Sequence, residues 1–272
     1  MNRNQLVESI KTKRSYLCIG LDTDPGNIPH HLRGSQNAVY KFNMDIIDAT
    51  KDHCIGYKIN TAFYEAMGSK GWEIMEQTVN YIPDTHFKIA DAKRGDIGNT
   101  SSKYAKAFFE TLKFDAITVA PYMGEDSIRP FLEYEDKWTI VLGLTSNKGA
   151  EDFELQKIGN EFLFENVIRT VSKWGNENNL MFVAGATRAN ELKSIRKIIP
   201  NHFLLVPGVG FQGGGLTQVS ENGLNNDVGL LVNVSRAIIY AGEGENFAEE
   251  AGAIALQYKT EMGKLMIVKG IL

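Results

Sequence analysis

A (β/α)8 TIM barrel is the fold class this sequence predicts, on three observations. Eight short apolar runs recur along the chain, longer helix-like segments separate them, and 272 residues suit a fold that typically needs about 250. Each run is rich in Val, Ile and Leu and nearly continuous, as a strand buried on both faces requires. Alternation with helices makes the sheet parallel, and eight strands is the number that closes it. No Pro/Gly/Ser-rich linker divides the chain, so residues 1–272 are expected to form a single barrel domain. A doubly wound open sheet is the competing arrangement.

Taken in order, the runs also show where a site belongs. YLCIGLD (16–22) ends on Asp22, and IGYKIN (55–60) carries Lys58 near its end. FKIADAK (87–93) ends on Asp91 and Lys93, while AITVAP (116–121) closes on proline. TIVLGLT (139–145) leads to Ser146, and MFVAGAT (181–187) leads to Arg188. FLLVPGV (203–209) enters a glycine run, and GLLVNVS (229–235) ends on Ser235 beside Arg236. Charged and hydroxyl residues therefore gather at the C-terminal ends of the strands, where barrels of this kind carry their active sites. Between the runs, NEFLFENVIRTVSKWG (160–175) spaces Phe162, Val167, Val171 and Trp174 as one helical face. NFAEEAGAIALQYKTEM (246–262) opens with Asn246 as N-cap and Glu249 three residues on, a capping-box pattern.

Composition removes several function classes. The net charge is −4, with no Lys/Arg block, so neither nucleic acid nor an anionic membrane is an expected partner. No apolar run reaches the roughly 18 residues of a membrane span. The opening MNRNQLVESIKTKRSY lacks the apolar core of a secretory leader, which points to the cytoplasm. Cys18 and Cys54 read as buried thiols in a reducing compartment. His30, His31, His53, His86 and His202 have no metal-ligand spacing and read as surface or loop residues, so no metal is expected.

Asp91 and Lys93 stand two apart on one strand, so both side chains face the same side. Lys58 ends the neighbouring run, and Asp96 follows in the loop. A lysine held between carboxylates stays protonated and can donate a proton. A carboxylate beside an anionic substrate raises its ground-state energy, and that repulsion is relieved when the anionic group departs. Loss of CO2 followed by protonation fits this arrangement; a structural salt-bridge cluster is the bland alternative. After the seventh run, LLVPGVGFQGGG (204–215) supplies Gly208, Gly210, Gly213, Gly214 and Gly215. With Ser235 and Arg236 after the eighth, this is where the fold places a phosphate. GVGFQG (208–213) satisfies GxGxxG by letters, but it follows the seventh strand and no clear long helix follows it, so it is not read as a dinucleotide fingerprint. The polar, glycine-rich stretch 210–228 is expected to be a mobile lid.

These residues resemble the orotidine 5′-phosphate decarboxylase family. DAKRGDIGNT (91–100) resembles its DxKxxD signature, and PGVGFQGG (207–214) with the Ser-Arg pair resembles its phosphate-binding elements. LTSN (144–147) and FVAGAT (182–187) are similar to the longer bacterial branch. The resemblance implies a TIM barrel that decarboxylates orotidine 5′-monophosphate to uridine 5′-monophosphate in pyrimidine biosynthesis, without cofactor. It implies that Asp22 binds ribose hydroxyls, that Lys58 bridges the ribose and the acidic pair, that Asp91 presses on the substrate carboxylate, and that Lys93 protonates C6. Ser146 would bond the pyrimidine edge, and Gln212 and Arg236, beside Ser235, would hold the phosphate. Asp96 and Thr100 would reach the active site of a second subunit, which makes a homodimer obligatory. Asn60 and Arg94 receive no role. A metal-dependent sugar-phosphate aldolase or decarboxylase and a non-catalytic nucleotide-binding barrel are the alternatives.

Overall fold

The computed structural model describes residues 1–35, 37–210 and 215–272. Eight parallel strands close a barrel: β1 (Leu17–Gly20), β2 (Gly56–Asn60), β3 (Phe87–Arg94), β4 (Ala116–Val119), β5 (Trp138–Leu144), β8 (Leu180–Ala184), β9 (Phe203–Pro207) and β10 (Leu230–Val234). An antiparallel hairpin, β6 (Lys157–Ile158) and β7 (Glu161–Phe162), interrupts the alternation after β5. Around the barrel the order is β1-β10-β9-β8-β5-β4-β3-β2, so the predicted eight-stranded closure is observed and the open sheet is not. Each apolar run falls on one strand, and the core they form is almost wholly buried.

The register decides which residues meet. Paired residues of parallel neighbours point to the same side of a sheet. Cys18 pairs with Gly56 and with Asn233, Gly20 with Lys58, Lys58 with Ile89, and Asn60 with Asp91. Ile89 pairs with Ala116, which puts Thr118 on that side as well. Lys58, Asp91, Thr118 and Asn233 thus share the interior face. The ladder between β3 and β4 is irregular between Ala90 and Arg94, and Lys93 has φ of 47°. Left-handed backbone costs a side-chain-bearing residue about 1–2 kcal/mol. Such strain concentrates at functional sites.

Helices cover the outside. The Ala38–Thr50 helix buries Phe42, which stacks on Phe247 of the Phe247–Val268 helix with ring centroids 5.2 Å apart. A phenylalanine buried this completely contributes about 1.5–3 kcal/mol. At the opposite end from the polar strand ends, Arg3 donates to the carbonyls of Glu177 and Asn201 at 2.7 and 2.8 Å.

Three sequence expectations need correction. The helix expected over 160–175 is Leu163–Val171, and it buries Phe164, Ile168 and Val171 rather than the Phe162 and Trp174 face. Gly159, with φ of 65°, turns the β6–β7 hairpin and takes the first residues out of the helix. The Asn246 side chain caps no backbone N–H; it donates to Glu250 Oε1 at 2.7 Å. The stretch 210–228 is not one long lid: Leu216–Gly223 is a helix that buries Leu216 and Val219 against the barrel. His86 and His202 lie in loops, within the expectation of surface or loop positions, and are buried there.

Candidate active site

Where the strands end, a cavity of about 810 Å³ opens, with Asp22, Lys58 and Asp91 on one wall and Ser235 and Arg236 on another. Lys58 lies on β2 and is 3% exposed. Its Nζ donates to Asp22 Oδ1 at 3.2 Å and to Asp91 Oδ2 at 3.1 Å. Lys93 Nζ donates to the other oxygen of Asp91 at 2.6 Å. Burial opposes charge on Lys58, yet the facing Asp22 and Asp91 carboxylates outweigh it and raise its pKa above the ordinary lysine value. Burial likewise opposes charge on Asp91, but Lys58 and Lys93 outweigh it and bring its pKa down to about 2. Both groups are thereby held charged at neutral pH. Lys58, Asp91 and Lys93 form the expected array; Asp22 joins it through Lys58, whereas Asp96, expected beside it, bonds to its own loop.

Thr118 completes the array and was not singled out in the sequence. Its hydroxyl donates to Asp91 Oδ1 at 3.0 Å and accepts the Lys93 backbone N–H at 2.9 Å. That N–H has left the regular ladder at the β3 irregularity, so the threonine satisfies a donor that the strained backbone frees. A signal existed: Thr118 is the polar residue within the apolar run AITVAP. Asn233, the polar residue of GLLVNVS, is 5% exposed and lines the cavity with its Oδ1 lacking a hydrogen-bond partner. Tyr240 accepts the Asp24 N–H at 2.8 Å and steadies the loop that carries Asp22.

The remaining predicted residues divide. Ser146 and Thr187 line the cavity. Ser146 sits so close to Gly185 that a Cβ on the glycine would lie 2.7 Å from the serine Cβ. The Ser235 hydroxyl donates to the Gly20 carbonyl at 3.0 Å and so joins β10 to β1. A side chain on Gly20 would stand 2.7 Å from the Ser235 Cβ and collide with it. Arg236 is exposed at the cavity and forms no ion pair among the described residues. Gln212 lies outside the described residues, as do Gly213 and Gly214. Asp96 is half-buried; its Oδ1 accepts the Ile97 N–H at 2.7 Å, and Thr100 is exposed in the following helix. Neither lines the cavity of its own chain.

The two residues without a role gain one. Asn60 caps the Thr61–Glu65 helix by accepting the Ala62 N–H at 3.2 Å. Arg94 turns away from the cavity, pairs with Glu65, and lies 5.6 and 5.5 Å from the Tyr104 and Phe108 ring centroids. It braces the strand behind the array. Among the described residues no group of three or more His, Cys, Asp or Glu is arranged to hold a metal, and no helix is long and apolar enough to cross a membrane.

Residues 15–251 match the Orotidine 5'-phosphate decarboxylase / HUMPS family. A curated orotidine 5'-phosphate decarboxylase of Phocaeicola vulgatus is 56% identical over 270 residues, covering 98% of this chain and 99% of the relative. That of Bacteroides fragilis is 54% identical over 268 residues, covering 97% and 98%. The solved structure of Leishmania donovani OMP decarboxylase matches with a TM-score of 0.83 at 32% identity, covering 97% of this chain and 99% of that one.

Proposed function

The chain belongs to the orotidine 5′-phosphate decarboxylase / HUMPS family, and from that premise we propose that it converts orotidine 5′-monophosphate to uridine 5′-monophosphate and CO2. The observation that carries this reading is the Asp22–Lys58–Asp91 chain lining the cavity, with Lys93 bonded to Asp91 at its edge and Arg236 exposed in the same cavity.

Substrate enters with its phosphate toward Arg236, Ser235 and the Gln212 loop, its ribose against Asp22 and Lys58, and its pyrimidine edge at Ser146. The carboxylate then faces Asp91. Two unit charges about 4 Å apart at an effective dielectric near 20 repel by roughly 4 kcal/mol. Departure of CO2 relieves that repulsion, which is worth about a thousandfold in rate. The carbon–carbon bond breaks and its electron pair stays on C6, where the Lys93 ammonium both stabilises the charge and delivers the proton. Lys58 keeps Asp91 ionised and in place while this happens. The chain works as one barrel unit over residues 1–272, in the cytoplasm and without a metal or organic cofactor.

A homodimer accounts for Asp96 and Thr100. Both stand outside the cavity of their own chain, and Ile97 between them is 61% exposed. A second copy covering these side chains would bring Asp96 and Thr100 to the neighbouring cavity. The direct test is turnover of orotidine 5′-monophosphate by chelator-treated protein. Uridine 5′-monophosphate and CO2 should form in equal amounts. Turnover of a sugar phosphate instead, or dependence on added metal, would reject the reading.

A further inference from the structure

The segment after β5 does more than join strand to helix. Residues 148–151 form a short 3-10 turn and the β6–β7 hairpin follows. The stretch is anchored on the barrel side: the Phe164 N–H donates to the Glu154 carbonyl at 2.9 Å, and the Leu163 N–H to the Gln156 carbonyl at 2.7 Å. These are the otherwise unsatisfied first-turn donors of the Leu163–Val171 helix. Glu154 is thus fixed from behind. Its carboxylate reaches forward to Thr145, accepting the backbone N–H at 2.6 Å and lying 2.9 Å from the hydroxyl. Thr145 is the residue immediately before Ser146 and stands just past the end of β5.

We propose that Glu154 is a positioning residue: it locks the Thr145–Ser146 turn and thereby sets how strongly the cavity favours a ligand that carries a nucleobase. The proposal rests on the reading that Ser146 meets the pyrimidine edge. A serine on a short exposed turn has several backbone options, and each costs alignment with the ligand. The Thr145 N–H donated to the carboxylate at 2.6 Å, with the Thr145 hydroxyl between Glu154 Oε1 at 2.9 Å and Asn147 Oδ1 at 2.6 Å, removes that freedom. Gly185 leaves room for the serine: a Cβ there would stand 2.7 Å from both Ser146 Cβ and its backbone nitrogen. The serine is therefore held from its N-terminal side by Glu154 and admitted by the missing side chain of Gly185. Nothing in the letters around Glu154 marks it; the contact arises because the hairpin folds back.

Calorimetric binding of uridine 5′-monophosphate and of ribose 5-phosphate to the full chain tests this. The two ligands share the phosphoribosyl group and differ by the base. Glu154→Ala should weaken uridine 5′-monophosphate about tenfold, the equivalent of one lost hydrogen bond at the upper end of its usual range. Ribose 5-phosphate affinity should stay unchanged. Ser146→Ala should do the same, and the double variant should be no worse than Ser146→Ala alone. Glu154→Gln keeps an acceptor for the Thr145 N–H and should recover part of the loss. Equal weakening of both ligands, additive effects in the double variant, or an undiminished base preference in Glu154→Ala would overturn the proposal. If the unaltered protein binds both ligands equally, the pyrimidine reading of Ser146 itself fails.

Discussion

Thr118→Val removes one oxygen and almost no volume, and it should disable the array without emptying the core. In the intact protein that oxygen bridges Asp91 Oδ1, at 3.0 Å, and the Lys93 N–H, at 2.9 Å. Thr118 is fully buried, so water is poorly placed to replace it. A hydrogen bond to a charged group contributes about 1.5–3 kcal/mol, and a buried N–H left without a partner costs about 1–3 kcal/mol. A net loss near 3 kcal/mol is the expected sum, because the strained Lys93 backbone can relax in part. For a chain of 272 residues the unfolding entropy is about 0.6 kcal/mol/K, so the melting temperature should fall by about 5 °C. Catalysis should fall further. Asp91 would retain both lysines but lose the contact that fixes its rotation, and a displacement of 1 Å can cost about a hundredfold. Steady-state kinetics with orotidine 5′-monophosphate should show kcat reduced about 10- to 100-fold with KM changed less than about threefold. Wild-type kcat together with a wild-type melting temperature would refute the assignment of Thr118 to the array. A raised KM at unchanged kcat would show that it serves binding instead.

Two further outcomes follow from the charges and the assembly. Burial lowers the pKa of His86 and His202 from 6.5 to about 4, so both are neutral in the folded protein. The unfolded chain takes up these protons first, so stability is full above about pH 6.5 and is lost as pH falls toward 4, by up to about 3 kcal/mol for each histidine. Asp91 adds a separate loss only below its unfolded value of 3.8. Melting curves between pH 7 and 4.5 should fall less steeply for His202→Gln; identical slopes would contradict the assignment. For the dimer, Asp96→Ala and Arg236→Ala proteins should each be inactive. After subunit exchange, about a quarter of full activity should return, because half the dimers are hybrid and one of their two sites carries neither change. No recovery with exchange confirmed would place Asp96 in its own subunit's site.

The strands were legible because both their faces are buried, which leaves few polar residues to interrupt the runs. Asp22, Lys58, Asp91 and Lys93 were legible because the fold puts strand ends together and charge there is conspicuous. What happens between strands was much less so. The β6–β7 hairpin has only two residues per strand, too few for a period to show, and its second strand lies within a helix-like pattern. The burial of His86 and His202 within their loops was not legible, because a single ring carries no periodicity and only packing shows that they are inside. Arg94 sits between catalytic candidates in the chain yet points to Glu65 and two aromatic rings, the outward direction that alternation gives a residue next to Lys93. Thr118 and Asn233 were visible as polar residues in apolar runs, but their meaning depends on which strand lies alongside.

The central claim is that Lys93, held by Asp91 at 2.6 Å, supplies the proton that replaces the lost carboxylate. It is tested most directly by the turnover of orotidine 5′-monophosphate in Lys93→Ala, with uridine 5′-monophosphate binding measured beside it. Turnover should fall by at least about a hundredfold, as removal of a general acid implies, while the product still binds. Full turnover in Lys93→Ala would contradict the claim.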